Sequence, residues 1–340
     1  MENDLKLAVI GAGTWGTALS ILLAGKGFDV TLWSHDAEKT KELENNRTEL
    51  PNLPGAVLPD NVRLSDDLGE SVKGMDVVVL AVSSVHVRDM AKKLAAFMED
   101  GQKLVNVSKG FEESTLLTLS EVIKQELPRC DISVLSGPSH AEEVSRQIPT
   151  TCVVASETKE TACFLQDVFM TERFRVYTSP DTMGVEIGGA LKNVIALAAG
   201  ISDGLGFGDN TKAALMTRGI AEIGRLGMKM GGKFETFSGL SGIGDLVVTC
   251  TSKHSRNWNA GYLMGKGMSM EEAKRKVGQA VEGINTAKAA LMLAKKYDVD
   301  MPIVEQVNCV LFENKPAIEA VTDLFMRDKK QENKQVLWTS

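Results

Sequence analysis

Short apolar runs alternate with longer stretches of helical period along the first half of the chain. Residues 5–10 and 28–33 read as strands, with a helix over about 15–24 between them. Residues 75–82 (MDVVVLAV) are apolar at nearly every position, the pattern of a parallel strand covered on both faces. Residues 103–107 and 132–135 repeat it, separated by a helical stretch over 116–127, and 151–155 and 174–178 follow as further strands. Such alternation predicts a doubly wound α/β sheet. After Pro180 the period changes. Residues 182–201, 211–228, 270–277, 285–297 and 303–312 all carry helical spacing, and no strand pattern follows. The reading is therefore a dinucleotide-type sheet domain over 1–179, an all-helical domain over 180–326 and a Lys-, Gln- and Asn-rich tail over 327–340.

Composition narrows the class. The chain has 340 residues, room for two domains of roughly 100–200 residues each. Its net charge of −7 argues against nucleic acid as a partner. A phosphate-binding site in so acidic a protein must gather a few cations locally. The apolar runs 77–82 and 194–201 fall short of the roughly 18 residues that span a bilayer, and the first four residues, Met1 to Asp4, form no basic leader. No integral membrane segment is expected. Cys130, Cys152, Cys163, Cys250 and Cys309 are odd in number and scattered, which fits free thiols in a reducing cytoplasm. The four histidines show no metal-ligand spacing, so no metal is expected.

Gly11-Ala12-Gly13-Thr14-Trp15-Gly16 is a GxGxxG run placed after a strand, at the start of a helix and within a β-α-β unit of about 30 residues. That context makes it a Rossmann-type fingerprint. Gly11 permits the tight turn, Gly13 admits a pyrophosphate to the backbone, and Gly16 lets the helix pack on the strand. The helix N-terminus then faces the phosphates with free N–H groups. An acidic residue at the end of the second strand would mark NAD; here the sequence is Trp33-Ser34-His35-Asp36, with the carboxylate late. Ser34 and His35 are placed to meet a 2′-phosphate, which favours NADPH without excluding NAD. His35 as a solvated loop residue is the alternative.

The second half carries a lysine, Lys192, in the otherwise small or apolar run GGALKNVIAL. A buried lysine with a lowered pKa is a proton acceptor and donor for hydride transfer at a secondary alcohol; a lysine snorkelling to solvent is the alternative. Gly239 to Asp245 (GLSGIGD) ends in a carboxylate that either orients Lys192 or caps a helix. Ser255-Arg256-Asn257 puts a hydroxyl, a guanidinium and an amide at a helix start, a receptor for phosphate. Lys109 and Gly137-Pro138-Ser139-His140-Ala141 each follow a strand, at the carboxyl edge where ligands of such sheets sit. Ser139 with Glu142 also reads as a capping box.

Taken together, GAGTWGTAL (11–19), VSKGFE (107–112), LSGPS (135–139), GVEIGGALKNVIALAAGISDGLGFGDN (184–210), GLSGIGDLVVTCTSKHSRN (239–257) and VEG (281–283) resemble the bacterial-type NAD(P)-dependent glycerol-3-phosphate dehydrogenases through nearly the whole chain. The resemblance implies Lys192 as the proton acceptor and donor. It implies Lys109, Gly137, Ser139, Lys192, Asp245, Ser255, Arg256 and Asn257 around a glycerol 3-phosphate site. It implies Gly11, Gly13, Thr14, Trp15, Gly16, His35, Lys109, Ala141, Arg256, Ala280 and Glu282 at the NADP or NAD cofactor. Ala280 stands where relatives often carry valine. A phosphorylated small-molecule substrate, a role in phospholipid synthesis and a homodimer are further expectations from the resemblance. A β-hydroxyacid or 6-phosphogluconate-type dehydrogenase, and a non-catalytic NAD(P)H sensor, are the alternatives.

Overall fold

Eight strands form one twisted sheet in a computed structural model that describes residues 5–329, 331 and 332. They are β1 (Lys6–Ile10), β2 (Asp29–Trp33), β3 (Val62–Ser65), β4 (Val77–Leu80), β5 (Lys103–Asn106), β6 (Asp131–Ser136), β7 (Thr150–Ser156) and β8 (Phe174–Ser179). Helices α1 (Thr14–Gly25), α2 (Ala37–Asn45), α3 (Leu68–Val72), α4 (Val87–Leu94), α5 (Leu119–Glu126), α6 (Ala141–Val144) and α7 (Lys159–Phe169) alternate with them. The order is β3-β2-β1-β4-β5-β6-β7-β8, all parallel neighbours except the antiparallel β6–β7 pair. The reversal of strand order between the parallel neighbours β1 and β4 is the topological switch point that opens a crevice at the carboxyl ends of the strands. Val77, Val78, Val79 and Leu80 are fully buried, as their unbroken apolar run demands.

Two features of the sheet differ from the sequence reading. Strand β3 was not expected: it is four residues long at the sheet edge, with Arg63 exposed, too short to carry a period. Strand β7 runs antiparallel, a direction that side-chain pattern does not encode.

Beyond Ser179 the described chain is helical: α8 (Thr182–Leu205), α9 (Asp209–Lys229), α10 (Phe234–Phe237), α11 (Asp245–Thr251), α12 (Arg256–Gly265), α13 (Met270–Val277), α14 (Glu282–Lys296), α15 (Pro302–Phe312) and α16 (Ala317–Phe325). Helix α8 is the axis of this half. By length and composition it could cross a membrane, a point the short run 194–201 concealed, yet 94% of its most apolar window is buried inside the fold. It is a core helix. Asp181 caps its start by accepting from the Gly184 N–H, and Gly206 ends it in the left-handed region at φ 89°.

Helix α12 lies against α8 at backbone distance. A Cβ on Gly200 would stand 2.1 Å from the Trp258 carbonyl oxygen, and one on Gly261 would stand 2.1 Å from that of Leu197. Of the tail read over 327–340, Arg327 forms two hydrogen bonds to the Asp300 carboxylate, and residues 330 and 333–340 lie outside the described residues.

Candidate active site

The glycine turn is shaped as its spacing requires. Gly11 has φ +119°, donates its N–H to the Trp33 carbonyl at 3.0 Å, and sits where a Cβ would come within 2.5 Å of the Ala81 oxygen. Gly16 stands so close to Gly11 that a Cβ would meet its oxygen at 1.9 Å. Gly13 is different: a Cβ built on it would meet nothing within 4 Å, so that face is open to a ligand. It occupies the N-cap of α1 with no side-chain cap, and Thr14 and Trp15 follow as the first helical residues. The turn therefore presents uncapped N–H groups and a bare backbone, which suits a pyrophosphate.

At the end of β2 the polar residues divide. Asp36 caps α2 by accepting from the Glu38 and Lys39 N–H groups. Ser34 is only 5% exposed, and its hydroxyl accepts from the Asp36 N–H. His35 is exposed, beside Trp33 at 6.4 Å between ring centres.

The second cluster joins the two halves of the chain. Lys192 is 6% exposed on α8, and its Nζ donates to Asp245 Oδ1 at 2.5 Å and to Thr249 Oγ1 at 2.7 Å. It does not snorkel. Asp245 is the first residue of α11 rather than its cap, a place taken by Gly244, and its Oδ2 accepts from Lys109 Nζ at 2.6 Å. Lys109 also donates to the Gly137 carbonyl at 3.1 Å. One buried carboxylate is thus shared by two ammonium groups. Burial lowers the Lys192 pKa to about 8, Asp245 opposes the shift and Lys109 adds to it. Burial alone would raise Asp245, but Lys109 and Lys192 outweigh it and hold the carboxylate below its usual range.

The approach of α8 to this carboxylate depends on Gly188, where a Cβ would meet the Ser241 oxygen at 2.5 Å. Ser241 lies in the π-helical turn Leu240–Gly244 that delivers Asp245.

Other expected residues fall around this centre. Gly137, at φ +140°, follows β6, and Ser139 Oγ donates back to its carbonyl at 3.1 Å. The capping box expected of Ser139 and Glu142 is not formed: α6 starts one residue later, with His140 at the N-cap and no side-chain cap. Ala141 opens that helix and is buried. Ser255 caps α12 by accepting from the Trp258 N–H, and Arg256 begins the helix exposed, without a hydrogen bond or ion pair among the described residues.

Asn257 follows, buried, and ties three helices together. Its amide donates to Asn193 Oδ1 at 2.9 Å and accepts from the Gly283 N–H at 2.8 Å, locking α8, α12 and α14 together. Glu282 accepts from the Ser83 hydroxyl at 2.7 Å and from both the N–H and hydroxyl of Ser84, tying α14 to the loop after β4. Ala280 is exposed just before α14.

Three residues of the fold carry interactions to which the sequence assigns no role. Thr249 lies one turn after Asp245, an i, i+4 relation visible only once the helix register is known. His140 faces His254 across the two halves at 5.9 Å, with Nε2 buried and unpartnered. Burial, then the charge on Lys192, lowers its pKa. Glu186 on α8 accepts from the Ser120 N–H at 2.9 Å and from its hydroxyl, at the start of α5.

Comparison with known proteins decides the family. Residues 6–162 match the N-terminal model of NAD-dependent glycerol-3-phosphate dehydrogenase, and residues 181–322 match its C-terminal model. The chain belongs to the NAD-dependent glycerol-3-phosphate dehydrogenase family. It is 55% identical to the glycerol-3-phosphate dehydrogenase [NAD(P)+] of Agathobacter rectalis over 98% of this chain and 99% of that one. It is 56% identical to the same enzyme of Fusobacterium nucleatum over 96% and 98%. A solved glycerol-3-phosphate dehydrogenase of Coxiella burnetii superposes with a TM-score of 0.91 at 37% identity, covering 96% of this chain and all of that one. Membership in this dehydrogenase family makes the chain an NAD(P)-dependent oxidoreductase acting on a CH–OH group, and the hydroxyacid and sensor alternatives fall with it.

Proposed function

We propose that this chain interconverts dihydroxyacetone phosphate and glycerol 3-phosphate, with Lys192 moving the proton of the reacting oxygen. The observation that carries the assignment is the buried Lys192–Asp245–Lys109 cluster at the junction of the two halves. Bound NAD or NADP supplies the hydride acceptor or donor. The residues fit such a cofactor: Gly13 is open and α1 is uncapped.

In reduction, the Lys192 ammonium gives a proton to the carbonyl oxygen as that carbon accepts hydride. In oxidation, the neutral amine takes the hydroxyl proton. Asp245 and Thr249 hold Nζ in place, so its rotamer is set before substrate arrives. Lys109 keeps Asp245 from neutralising Lys192 fully, since the carboxylate is shared. Arg256 supplies an unpaired guanidinium at a helix start for the phosphate group. Ser255 and Asn257 shape that start, one as the cap and the other as the lock on α8 and α14. The sheet unit over 1–179 then carries the nucleotide, and the helical unit over 180–326 carries the proton-transfer group.

Absorbance at 340 nm with purified protein, dihydroxyacetone phosphate and NADPH or NADH tests the reading. Lys192→Ala is expected to keep nucleotide binding and lose turnover by roughly 10²–10⁴-fold, the usual contribution of general acid–base catalysis. Absence of oxidation by the intact protein with either cofactor would sink it.

A cytoplasmic location fits the five free thiols, and supply of glycerol 3-phosphate for phospholipid synthesis fits the reaction. The proposed assembly is a homodimer. It is supported by an apolar groove of about 1150 Å³ in the helical half, lined by Ile220, Met228, Phe234, Val310 and Phe325. Phe234 and Phe325 are 60% and 72% exposed on its rim, a surface that a second copy would cover.

A further inference from the structure

We propose that Lys39 recognises the 2′-phosphate of NADP and sets the preference of this chain between the two nicotinamide cofactors. The inference rests on the dehydrogenase reading and names a residue that the fingerprint does not contain. In a Rossmann-type unit the adenosine ribose lies at the end of the second strand, beside the glycine turn. Here that junction is fixed by the hydrogen bond from the Gly11 N–H to the Trp33 carbonyl. The carboxylate that would select the free 2′-hydroxyl is missing in function: Asp36, the first acidic residue after β2, is consumed in capping α2. Ser34 is 5% exposed and accepts from the Asp36 N–H.

Lys39 stands one turn further on. It lies on α2 on the same side as the buried Leu43, four residues later, which places it toward α1. With Gly13, Thr14, Thr17 and Asn52 it lines a hollow beside the glycine turn, and among the described residues it is the only charged one lining that hollow. Its side chain is 22% exposed, so the stem is held while the ammonium stays near the surface. Its present partner is Glu42, at 2.8 Å and 42% exposed. An exposed i, i+3 pair of this kind is weak and screened, and a phosphate dianion displaces it. His35, exposed at the same strand end, offers a second donor. The acidic groups on this stretch are Asp36, Glu38, Glu42 and Glu44; Asp36 is engaged as the cap, and Glu44 pairs with Arg47. Glu42 is therefore the direct competitor of the phosphate.

Calorimetric binding of 2′,5′-ADP and of 5′-ADP to the full chain tests this without turnover. The intact protein is expected to prefer 2′,5′-ADP. Lys39→Gln is expected to weaken 2′,5′-ADP roughly tenfold, the scale of one lost charge-assisted contact, while 5′-ADP changes less than about twofold. In the assay at 340 nm the same variant is expected to raise KM for NADPH by a similar factor and leave KM for NADH and both kcat values in place. Lys39→Arg is expected to retain the preference, and Glu42→Gln to strengthen it. Equal weakening of both nucleotides by Lys39→Gln, or no change in either, overturns the proposal, as does an intact protein without preference for 2′,5′-ADP. If nucleotides bind as expected but dihydroxyacetone phosphate is not reduced, the reaction assignment fails and the role of Lys39 stands.

Discussion

Lys192 owes its proton-transfer range to three neighbours whose effects oppose each other. Burial favours the neutral amine, Asp245 favours the ammonium, and Lys109 returns the balance toward neutrality, leaving the group near pH 8. The signs of the two directions follow. Reduction needs the ammonium, so its rate is expected to fall as pH rises through about 8. Oxidation needs the amine and is expected to rise over the same interval. Profiles of kcat/KM in both directions check this, and removing the neighbouring cation in Lys109→Met is expected to move both inflections to higher pH. Lysine was legible in the sequence because a charge inside GGALKNVIAL has few bland explanations. Thr249 and His140 were not, because hydroxyls and imidazoles are common and only the folded register brings them to the ammonium. Asn257 illustrates a subtler limit: the sequence places it at a phosphate receptor, and only the fold shows its amide bonded to Asn193 and Gly283.

At the scale of elements, α8 and its partners show how backbone approach replaces side-chain packing. Alanine is favoured over glycine within a helix by about 1 kcal/mol, so Gly200→Ala would stabilise an isolated α8. In the protein its Cβ would lie 2.1 Å from the Trp258 oxygen, and forcing α12 away is expected to cost at least about 3 kcal/mol. Urea unfolding of that variant measures the net sign. Glu186 gives a second test. Burial raises its pKa to about 6 from the usual 4.5, while its bonds from Ser120 work against the rise. A carboxyl whose folded pKa is raised is stabilising when protonated, and that contribution is lost as pH climbs from 4.5 through 6. Relative to wild type, Glu186→Gln is therefore expected to gain about 2 kcal/mol between pH 4.5 and pH 7 in the same assay. The element types were largely readable from period alone. The exceptions were β3, whose four residues are too few for a pattern, and the antiparallel direction of β7, which depends on the crossover rather than on side chains.

Across the whole molecule, the two halves are joined by polar ties that converge on one region: Lys109 to Asp245, Glu282 to Ser83 and Ser84, and Glu186 to Ser120. None of these pairs was evident from sequence, since their members lie between 66 and 199 residues apart. The helical half also carries the apolar groove with Phe325 on its rim. Sedimentation equilibrium is expected to give a dimer, and Phe325→Glu a monomer, because burying an unpaired carboxylate in that face is unfavourable. A monomeric wild type would remove this assignment.

The central place of α8 has a consequence for how the chain is made. Its 24 residues are synthesised before any residue of α12, α14 or α15, the helices that later surround it. The closest of these covers, α12, begins at Arg256, about fifty residues after α8 is complete. Helices α9 and α11 emerge within that interval and pack on α8, but the face around Gly200 and Gly204 waits for α12. The close backbone fit of α8 to α12 thus leaves apolar surface uncovered on the unfinished chain until the later helix emerges, the kind of exposure that invites aggregation during synthesis.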